Sequence, residues 1–519
     1  MALVIAWSAR EPERIGETAL LGPDRCVWLL GRAPGSADSR STQGEEDERT
    51  VLFFRQRPPG ANDRSGPYED GATTIQGEAI SRRQLELRPR GEFLLVRNVG
   101  RCSLLVNGQP RHEALVRPGD TLHLRNQLVL YCTRRTFAMP PLRVYPKERA
   151  HIFGQADLDG IVGESPPMWL LRERIAASAR TNLHVLITGE SGTGKELAAQ
   201  AVHRMSSRAE HKMIADNIAT IAPSLASAVL FGNRRNFPNP GMEERVGLIG
   251  AAHRSTLFLD EIGDMPEEVQ PMFLRVTERD GEYFRLGDEG RPQHSDFRLI
   301  GATNHPEGMR YELKRRFQRE VHVPGLNERK EDIPLLVNHI LLRQAMADDV
   351  DIRRFVVNGR PQIHPQLIEL LLHHTYTTHV SEVAFLLGQA MAESPYTVIC
   401  PPGSRFGQTL ASRTPVSEKD PPLRPGELPS PSRATREPPS RISIEPPSRS
   451  SVKSPPRPLP SRERAAEVLV EEGGDVTRAA AVLNISRDQM NRLIRREGLL
   501  IPKARRIRRP GGDGTGPPP

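Results

Sequence analysis

The sequence predicts a multidomain protein: a β-sandwich, then an α/β domain with an α-helical lid, and finally a small α-helical unit. A chain of 519 residues is too long for one hydrophobic core. Short apolar runs separated by turns fill residues 1–140, whereas strands alternate with helical patterns across residues 155–335. Residues 401–460 contain 16 of the 47 prolines, so the segment 396–460 is predicted to be a disordered linker.

The composition narrows the class of protein further. The net charge of +8 favours an acidic partner such as DNA, although charge alone does not identify one. No apolar run reaches the length of a membrane span and the first residues lack the basic flank of a signal peptide, so we expect a cytoplasmic protein. The cysteines are scattered too widely for a zinc knuckle or a disulfide framework; they are Cys26, Cys102, Cys132 and Cys400.

The N-terminal part carries the strand pattern of a sandwich, and it resembles a forkhead-associated (FHA) domain, a β-sandwich that binds phosphothreonine peptides. The motifs behind this resemblance are Gly31-Arg32, Ile80 to Gln84, and Val106 to Gly108. The resemblance implies that Arg32, Ser81 and Arg83 hydrogen-bond the phosphate of a phosphothreonine-containing protein. Gln84 stands where the family usually has histidine, so a sandwich used only for docking stays open as an alternative.

The stretch 185–196 is an apolar run that breaks into glycines and then a lysine. The closely spaced glycines let backbone N–H groups surround phosphate oxygens, and Lys195 can reach the terminal phosphates. Glu196 stands where the general pattern has serine or threonine, so the usual hydroxyl ligand of magnesium is missing. The pattern predicts a nucleotide pocket formed by Gly189, Glu190, Ser191, Gly192, Thr193, Gly194, Lys195 and Glu196.

Two adjacent carboxylates end a second predicted strand at 255–261. Their position suits Asp260 to hold magnesium through water and Glu261 to orient or deprotonate the water that attacks the nucleotide. A third strand ends in Asn304, which either contacts the γ-phosphate or caps the following loop. Helical spacing of apolar residues over 336–395 then predicts the lid.

Four motifs together resemble the AAA+ domain of the bacterial sigma-54-dependent enhancer-binding proteins, over residues 161–393. They are Gly189 to Glu196, Leu257 to Ile262, Ala302 to Asn304, and Glu328 to Ile333. The resemblance implies ATP and magnesium as cofactors, hydrolysis in a homo-oligomeric ring, and a glutamate at position 196 as the usual residue.

Three more site residues follow from this resemblance. Asn217 would restrain the catalytic glutamate. Arg310 and Arg316 would reach into the neighbouring subunit and neutralise charge on the transferred phosphoryl group. The alternative for both arginines is a basic, solvated helix face, because other basic residues crowd the same segment.

Two positions depart from the pattern of this family. The loop with which the family grips sigma-54 corresponds here to Asn236-Phe-Pro-Asn-Pro-Gly241, in which two prolines fix the backbone. The second sensor arginine corresponds to Ser381, which cannot contact phosphate as a fixed cation does. Interaction with sigma-54 RNA polymerase and ATP hydrolysis are the two activities that these changes affect.

Two short helical patterns around a tight turn occupy residues 461–500 and predict a helix-turn-helix. Residues 461–509 hold 12 Lys or Arg against 7 Asp or Glu, which favours DNA as the partner. The segment resembles the Fis-type DNA-binding domain, and a basic, then Gly/Pro-rich tail follows at 501–519. The residues predicted to contact DNA are Arg487, Gln489, Asn491, Arg492, Arg495 and Arg496.

Together these patterns predict a bacterial transcription regulator of the sigma-54 activator type. In this hypothesis the FHA domain senses a phosphorylated protein, the AAA+ ring hydrolyses ATP, and the helix-turn-helix binds an enhancer-like DNA site. The alternative is a phospho-responsive DNA-binding regulator that binds nucleotide without remodelling the sigma-54 holoenzyme.

Overall fold

The computed structural model describes residues 1–22, 26–32, 48–58, 71–139, 141–237, 239–277, 281–288, 290, 292–346 and 350–403. All of them belong to the first of two units into which the chain divides, Met1–Asp420 and Pro421–Pro519. The predicted helix-turn-helix at 461–500, the tail at 501–519 and most of the predicted linker lie outside the described residues. Within the described ranges, no helix has the length and apolar character needed to cross a membrane.

The N-terminal region is β-rich, as predicted. Its strands are β1 (Ala2–Ser8), β2 (Thr18–Leu20), β3 (Val27–Leu30), β4 (Glu48–Thr50), β5 (Leu85–Arg90), β6 (Phe93–Asn98), β7 (Leu104–Val106), β8 (Gln109–Pro110), β9 (Glu113–Val116), β10 (Thr121–Leu124) and β11 (Leu128–Thr133). They form one sheet with the order β2-β1-β11-β10-β7-β8 and another with the order β4-β3-β5-β6-β9. Successive side chains of a strand point to opposite faces of the sheet, and one face is buried here. In β5, for example, Leu85 and Leu87 are fully buried, whereas Glu86 between them is not.

A parallel α/β domain follows. Its elements are α1 (Pro166–Ala179), β12 (Val185–Thr188), α2 (Lys195–Arg204), β13 (Ile214–Asn217), α3 (Pro223–Phe231), α4 (Gly247–Ala251), β14 (Thr256–Asp260), α5 (Gln270–Val276), β15 (Glu282–Tyr283), β16 (Gln293–His294), β17 (Arg298–Thr303), α6 (Tyr311–Lys314) and β18 (Arg319–His322). Five parallel strands have the order β13-β14-β17-β12-β18, and β15 pairs with β16. The carboxyl ends of β12, β14 and β17 therefore meet at one edge of the sheet, where ligands bind in such folds.

The chain then forms a set of helices in the region predicted to be the lid. They are α7 (Ile333–Met346), α8 (Val350–Arg353), α9 (Pro365–His373) and α10 (His379–Glu393), with a short hairpin of β19 (Val356–Val357) and β20 (Arg360–Pro361) between α8 and α9. Residues 367, 368, 371 and 372 of α9 are apolar and buried, so the helix presents a continuous apolar stripe. Short 3₁₀ helices occupy Pro12–Arg14, Lys147–Arg149, Ile218–Thr220, Ile262–Asp264, Leu326–Glu328 and Lys330–Asp332.

The sandwich packs directly against these helices. One continuous hydrophobic core contains buried side chains from both, and a polar cluster lies inside the interface. His123 Nδ1 of β10 is 2.9 Å from Glu369 Oε2 of α9, and the Thr121 hydroxyl donates to Glu369 Oε1 at 3.1 Å. His373 Nε2 is 3.1 Å from the Thr121 hydroxyl, and burial lowers the pKa of His373. These groups satisfy one another where water is excluded.

Two more contacts fix the sandwich to the lid. The indole N–H of Trp7 donates to the Ile363 carbonyl at 2.9 Å, next to the start of α9. Arg135 forms a buried ion pair with Glu331 at 3.2 Å, two residues before α7. The sandwich thus contacts both the segment that leads into α7 and the segment that leads into α9.

We predict that Glu369→Gln lowers the free energy of unfolding by about 3 kcal/mol, because His123 and Thr121 lose a buried carboxylate partner. Urea unfolding of wild type and variant measures the difference. The matched control is Glu13→Gln, which breaks the ion pair with Arg360 at 3.3 Å between the same two parts of the chain. Both side chains of that pair are more than half exposed, so its loss is expected to cost less than about 1 kcal/mol. Equal losses in the two variants would contradict the prediction.

Candidate nucleotide-binding site

The glycine-rich turn between β12 and α2 is a cradle of backbone N–H groups. Gly192 and Gly194 have φ values of 75° and 101°, which place them in the left-handed region, and Gly194 is the N-cap of α2. A Cβ on Gly189 would lie 2.7 Å from the Val323 carbonyl oxygen, so the turn tolerates only glycine there. The N-terminus of α2 directly follows this turn, and such an arrangement suits the binding of an anion.

Lys195 lies in this cradle and is 7% exposed. Its ammonium donates to the carbonyls of Gly189 at 3.1 Å and Glu190 at 3.4 Å. Glu261 Oε1 is 3.6 Å from Lys195 Nζ. The buried ammonium thus contacts two neutral carbonyls and, at the edge of hydrogen-bond range, one carboxylate. Such an ammonium is well suited to bind a phosphate.

The two carboxylates end β14 as the sequence predicts, and the structure brings them next to Lys195. Glu261 directly follows the strand and has a left-handed backbone, with φ and ψ both 47°. Its Oε2 accepts a hydrogen bond from the Asn304 backbone N–H at 3.4 Å. The amide of Asn217 donates to Asp260 at 3.4 Å, and no hydrogen bond from Asn217 to Glu261 is found in the described part of the chain.

The two predicted trans-acting arginines lie beside α6. Arg310 is the N-cap residue of this short helix and is exposed, whereas Arg316 follows the helix and is partly buried. Their position on a single chain does not test a role in a neighbouring subunit, so both stay predictions.

The lid touches the glycine-rich turn at the start of α10. The Val380 N–H donates to the Gly192 carbonyl at 3.1 Å, and a Cβ on Gly192 would collide with the Thr378 carbonyl. Ser381, at the position predicted for the second sensor, is exposed beside this contact. His379 Nε2 is 2.9 Å from Glu190 Oε2. The sequence gives no signal for this last pair, because 189 positions separate the two residues.

The loop that departs from the enhancer-binding pattern is tied at several points. Asn233 is fully buried and donates to the carbonyls of Phe237 at 3.2 Å and Glu243 at 2.9 Å. The Asn236 side chain accepts from the Gly241 N–H at 2.9 Å, and an antiparallel bridge joins Asn233 to Arg245. Pro238 lies outside the described residues. The described part of the loop is therefore a closed hairpin held by asparagine side chains.

The predicted phosphopeptide residues lie at one end of the sandwich. The Arg32 N–H donates to the Ser81 carbonyl at 3.2 Å, and the Ser81 hydroxyl accepts from the Arg101 N–H at 2.9 Å. Arg83 instead pairs with Glu48 at 2.8 Å. A cavity of about 270 Å³ opens beside Arg32, and its lining is Arg32, Thr74, Gln76, Gly77 and Glu78.

Gln84 organises this end of the sandwich. It is fully buried, its Oε1 accepts from the Ser81 N–H at 3.0 Å, and its Nε2 donates to the Cys102 carbonyl at 2.8 Å. The glutamine therefore joins the two loops from inside the domain. The predicted DNA-contacting residues Arg487, Gln489, Asn491, Arg492, Arg495 and Arg496 all lie outside the described residues.

The parallel sheet, the glycine-rich cradle with its lysine, and the carboxylates at the neighbouring strand end define a P-loop nucleotide-binding domain of the AAA+ type. Comparison with known proteins makes this class more specific. The family model of the sigma-54 interaction domain matches residues 161–323.

Several curated regulators are similar to this chain over part of its length. The DNA-binding transcriptional regulator NtrC of Klebsiella pneumoniae is 39% identical over 215 residues, which cover 40% of this chain and 44% of that protein. NtrC of Rhizobium meliloti (strain 1021) is 34% identical over 267 residues, covering 49% of this chain and 52% of that protein. The anaerobic nitric oxide reductase transcription regulator NorR of Aeromonas hydrophila subsp. hydrophila is 35% identical over 238 residues, covering 44% and 45%.

The chain thus spans about half the length of the curated relatives it matches. Among solved structures, NtrX from Brucella abortus in complex with ATP is 26% identical with a TM-score of 0.41, over 65% of this chain and 70% of that one. The chain is thus similar to a sigma-54 interaction domain over residues 161–323 and, over part of its length, to several curated transcriptional regulators.

Glu382 holds together the segment of the lid that touches the glycine-rich turn. Its carboxylate accepts from the N–H groups of Thr377 at 2.7 Å and Thr378 at 3.1 Å, and it lies 2.8 Å from His374 Nε2. Burial opposes ionisation, but these hydrogen bonds outweigh it and lower the pKa of Glu382 from 4.5 to about 2.

A lowered pKa in the folded state contributes stability that is fully present above the unfolded value and is lost as the pH falls through the folded value. We therefore predict that the contribution of Glu382 is complete above pH 4.5 and disappears as the pH approaches 2. Urea unfolding of wild type and Glu382→Gln over this range measures it as the difference between the two proteins. The difference should shrink towards low pH, and a constant difference would show that the carboxylate does not titrate in this window.

Proposed function

We propose that this protein is an ATP-binding and DNA-binding transcription regulator of the sigma-54 activator type, whose AAA+ domain hydrolyses ATP in an oligomeric ring. The observation that carries the proposal is the convergence of the glycine-rich cradle, Lys195, Asp260 and Glu261 at one edge of the parallel sheet. The match to the sigma-54 interaction domain over residues 161–323 supports it independently.

The residues around the cradle would each make a different contact with ATP, magnesium or the attacking water. The N–H groups of the turn and the Lys195 ammonium neutralise the phosphates, and Lys195 exchanges two carbonyl partners for them. Asp260 would hold magnesium, which neutralises charge that builds up on the phosphates. Glu261 would orient and deprotonate the attacking water, with Asn304 at its other carboxylate oxygen. Arg310 and Arg316 would complete the site from an adjacent subunit.

The N-terminal sandwich would provide the signal input and the C-terminal segment the DNA contact. Arg32 lines a cavity and donates its backbone N–H to the Ser81 carbonyl, which supports binding of a phosphothreonine-containing protein near these two residues. Arg83 would have to leave Glu48 to join them. The enhancer-like DNA site would be bound by the basic helix-turn-helix at 461–500 in the cytoplasm.

Lys195→Ala is predicted to weaken ATP binding at least about a hundredfold, because the buried ammonium that meets the phosphates is lost. Isothermal titration with ATP and magnesium measures the change. Lys212→Ala is the control, since Lys212 is exposed and precedes β13 at the opposite edge of the sheet. Unchanged affinity in the Lys195 variant would refute the nucleotide site.

Trans-acting arginines make the ATPase rate per subunit rise with protein concentration until the ring is complete. Arg310→Ala and Glu261→Gln should each reduce the rate by more than about tenfold, because each removes one half of a shared site. Mixing the two variants should restore part of the activity, since a site between them combines an intact glutamate from one subunit with an intact arginine from the other. No recovery on mixing would exclude a role for Arg310 in the neighbouring site.

The second candidate function is a phospho-responsive DNA-binding regulator that binds nucleotide without remodelling the sigma-54 holoenzyme. The closed hairpin around Asn236 and the exposed Ser381 at the sensor position favour it. A reconstituted sigma-54 promoter separates the two functions. Promoter opening with ATP supports the activator, whereas hydrolysis without opening supports the second candidate.

A further inference from the structure

His379 is buried between three parts of the nucleotide-binding unit. It is 0% exposed and begins α10 with a left-handed backbone, φ 46°, although it is not glycine. Its ring packs so closely on Gly325 that a Cβ there would lie 2.7 Å from the imidazole Cε1. A positive φ is uncommon for a non-glycine residue, although histidine adopts it more readily than most, and sparsely populated backbone conformations cluster at functional sites.

Both ring nitrogens have partners on different elements. The Leu326 N–H donates to Nδ1 at 3.1 Å, inside the protein. Nδ1 therefore carries the lone pair, and the ring proton is on Nε2. Nε2–H then donates to the Glu190 carboxylate at 2.9 Å. The hydrogen bond from Leu326 thus fixes the tautomer with the proton on Nε2. This is the tautomer that can donate to Glu190 in the glycine-rich turn.

Glu190 is the second residue of the turn that would surround the phosphates, and its side chain is 66% exposed. Its carbonyl is also one of the two that hold the Lys195 ammonium. An unrestrained carboxylate at this point can approach bound phosphates and repel them, whereas a carboxylate hydrogen-bonded to the lid cannot.

We infer that His379 is a positioning residue of the nucleotide site, which holds the Glu190 carboxylate on the lid and so keeps the glycine-rich turn ready for phosphate. Through this hydrogen bond, the position of the lid affects the affinity for nucleotide, even though position 381 is a serine and not the sensor arginine. This inference rests on the proposed nucleotide-binding function. It adds that His379 is part of the site and that the lid influences the glycine-rich turn. The Val380 to Gly192 backbone hydrogen bond, at 3.1 Å, completes the same contact.

The experiment uses two substitutions that each preserve one nitrogen of the imidazole. His379→Gln places an N–H donor near the position of Nε2, and His379→Asn places an acceptor near the position of Nδ1. In full-length protein, titration with ATP and magnesium should give about tenfold weaker binding for His379→Asn and a change within about threefold for His379→Gln. A purely structural role, in which the histidine only satisfies the Leu326 N–H, predicts the opposite order.

A Glu190→Ala background supplies the second arm. If His379 acts by holding that carboxylate, His379→Asn has no further effect on affinity once the carboxylate is gone. Three results would each overturn the inference: His379→Asn binds like wild type, His379→Gln loses as much affinity as His379→Asn, or the loss persists in full with Glu190→Ala. Thermal unfolding of all variants identifies any that are not folded.

Hydrogen exchange separates this inference from the proposed function. In the nucleotide-free protein, amides of residues 189–194 should exchange faster in His379→Asn than in His379→Gln, because the turn is released from the lid. If wild-type protein fails to bind ATP, the proposed function fails, while the exchange rates still decide the role of His379. If wild type binds ATP and the exchange rates of the two variants are equal, only the inference fails.

Discussion

Packing of α9 against the β-sandwich is the interaction on which the position of the lid depends. The apolar stripe of this helix joins a hydrophobic core that it shares with the sandwich, and the His123 and Glu369 pair connects β10 to α9. The other side of the lid reaches the glycine-rich turn through α10. The lid is therefore held between the N-terminal domain and the nucleotide site, and any shift of the sandwich relative to α9 would move the residues that contact the turn.

The start of the lid is fixed just as firmly to the α/β domain. Asp332 is almost completely buried and accepts from the backbone N–H groups of Glu164 at 2.7 Å and Ser165 at 3.0 Å. Burial raises the pKa of Asp332, and Arg329 beside it opposes that change. Arg329 in turn donates to the Val162 carbonyl at 3.1 Å. These contacts attach the segment before α7 to the residues that precede α1.

The sequence was sufficient for those parts of the fold and site that depend on local spacing. Glycines before Lys195 predict the cradle, and the apolar strand before Asp260 predicts where the carboxylates lie, because both patterns are short and follow chain order. Contacts between distant segments leave no such pattern. The His123 and Glu369 pair spans 246 positions, and the hydrogen bond from the Asn217 amide to Asp260 spans 43. Side-chain partners of this kind depend on packing that only the folded chain specifies.

The shared core of sandwich and lid also bears on how such a protein can evolve. The three curated relatives described above resemble this chain over 40–49% of its length, and the sigma-54 interaction model matches residues 161–323. A domain that is connected to its neighbour only by a flexible linker can be exchanged by recombination, because its removal exposes no buried apolar surface. Replacement of this sandwich would expose the part of α9 that packs against it and leave the buried Glu331 carboxylate without its partner Arg135. The two domains are thus expected to be inherited together, with compensating substitutions on both sides of their boundary.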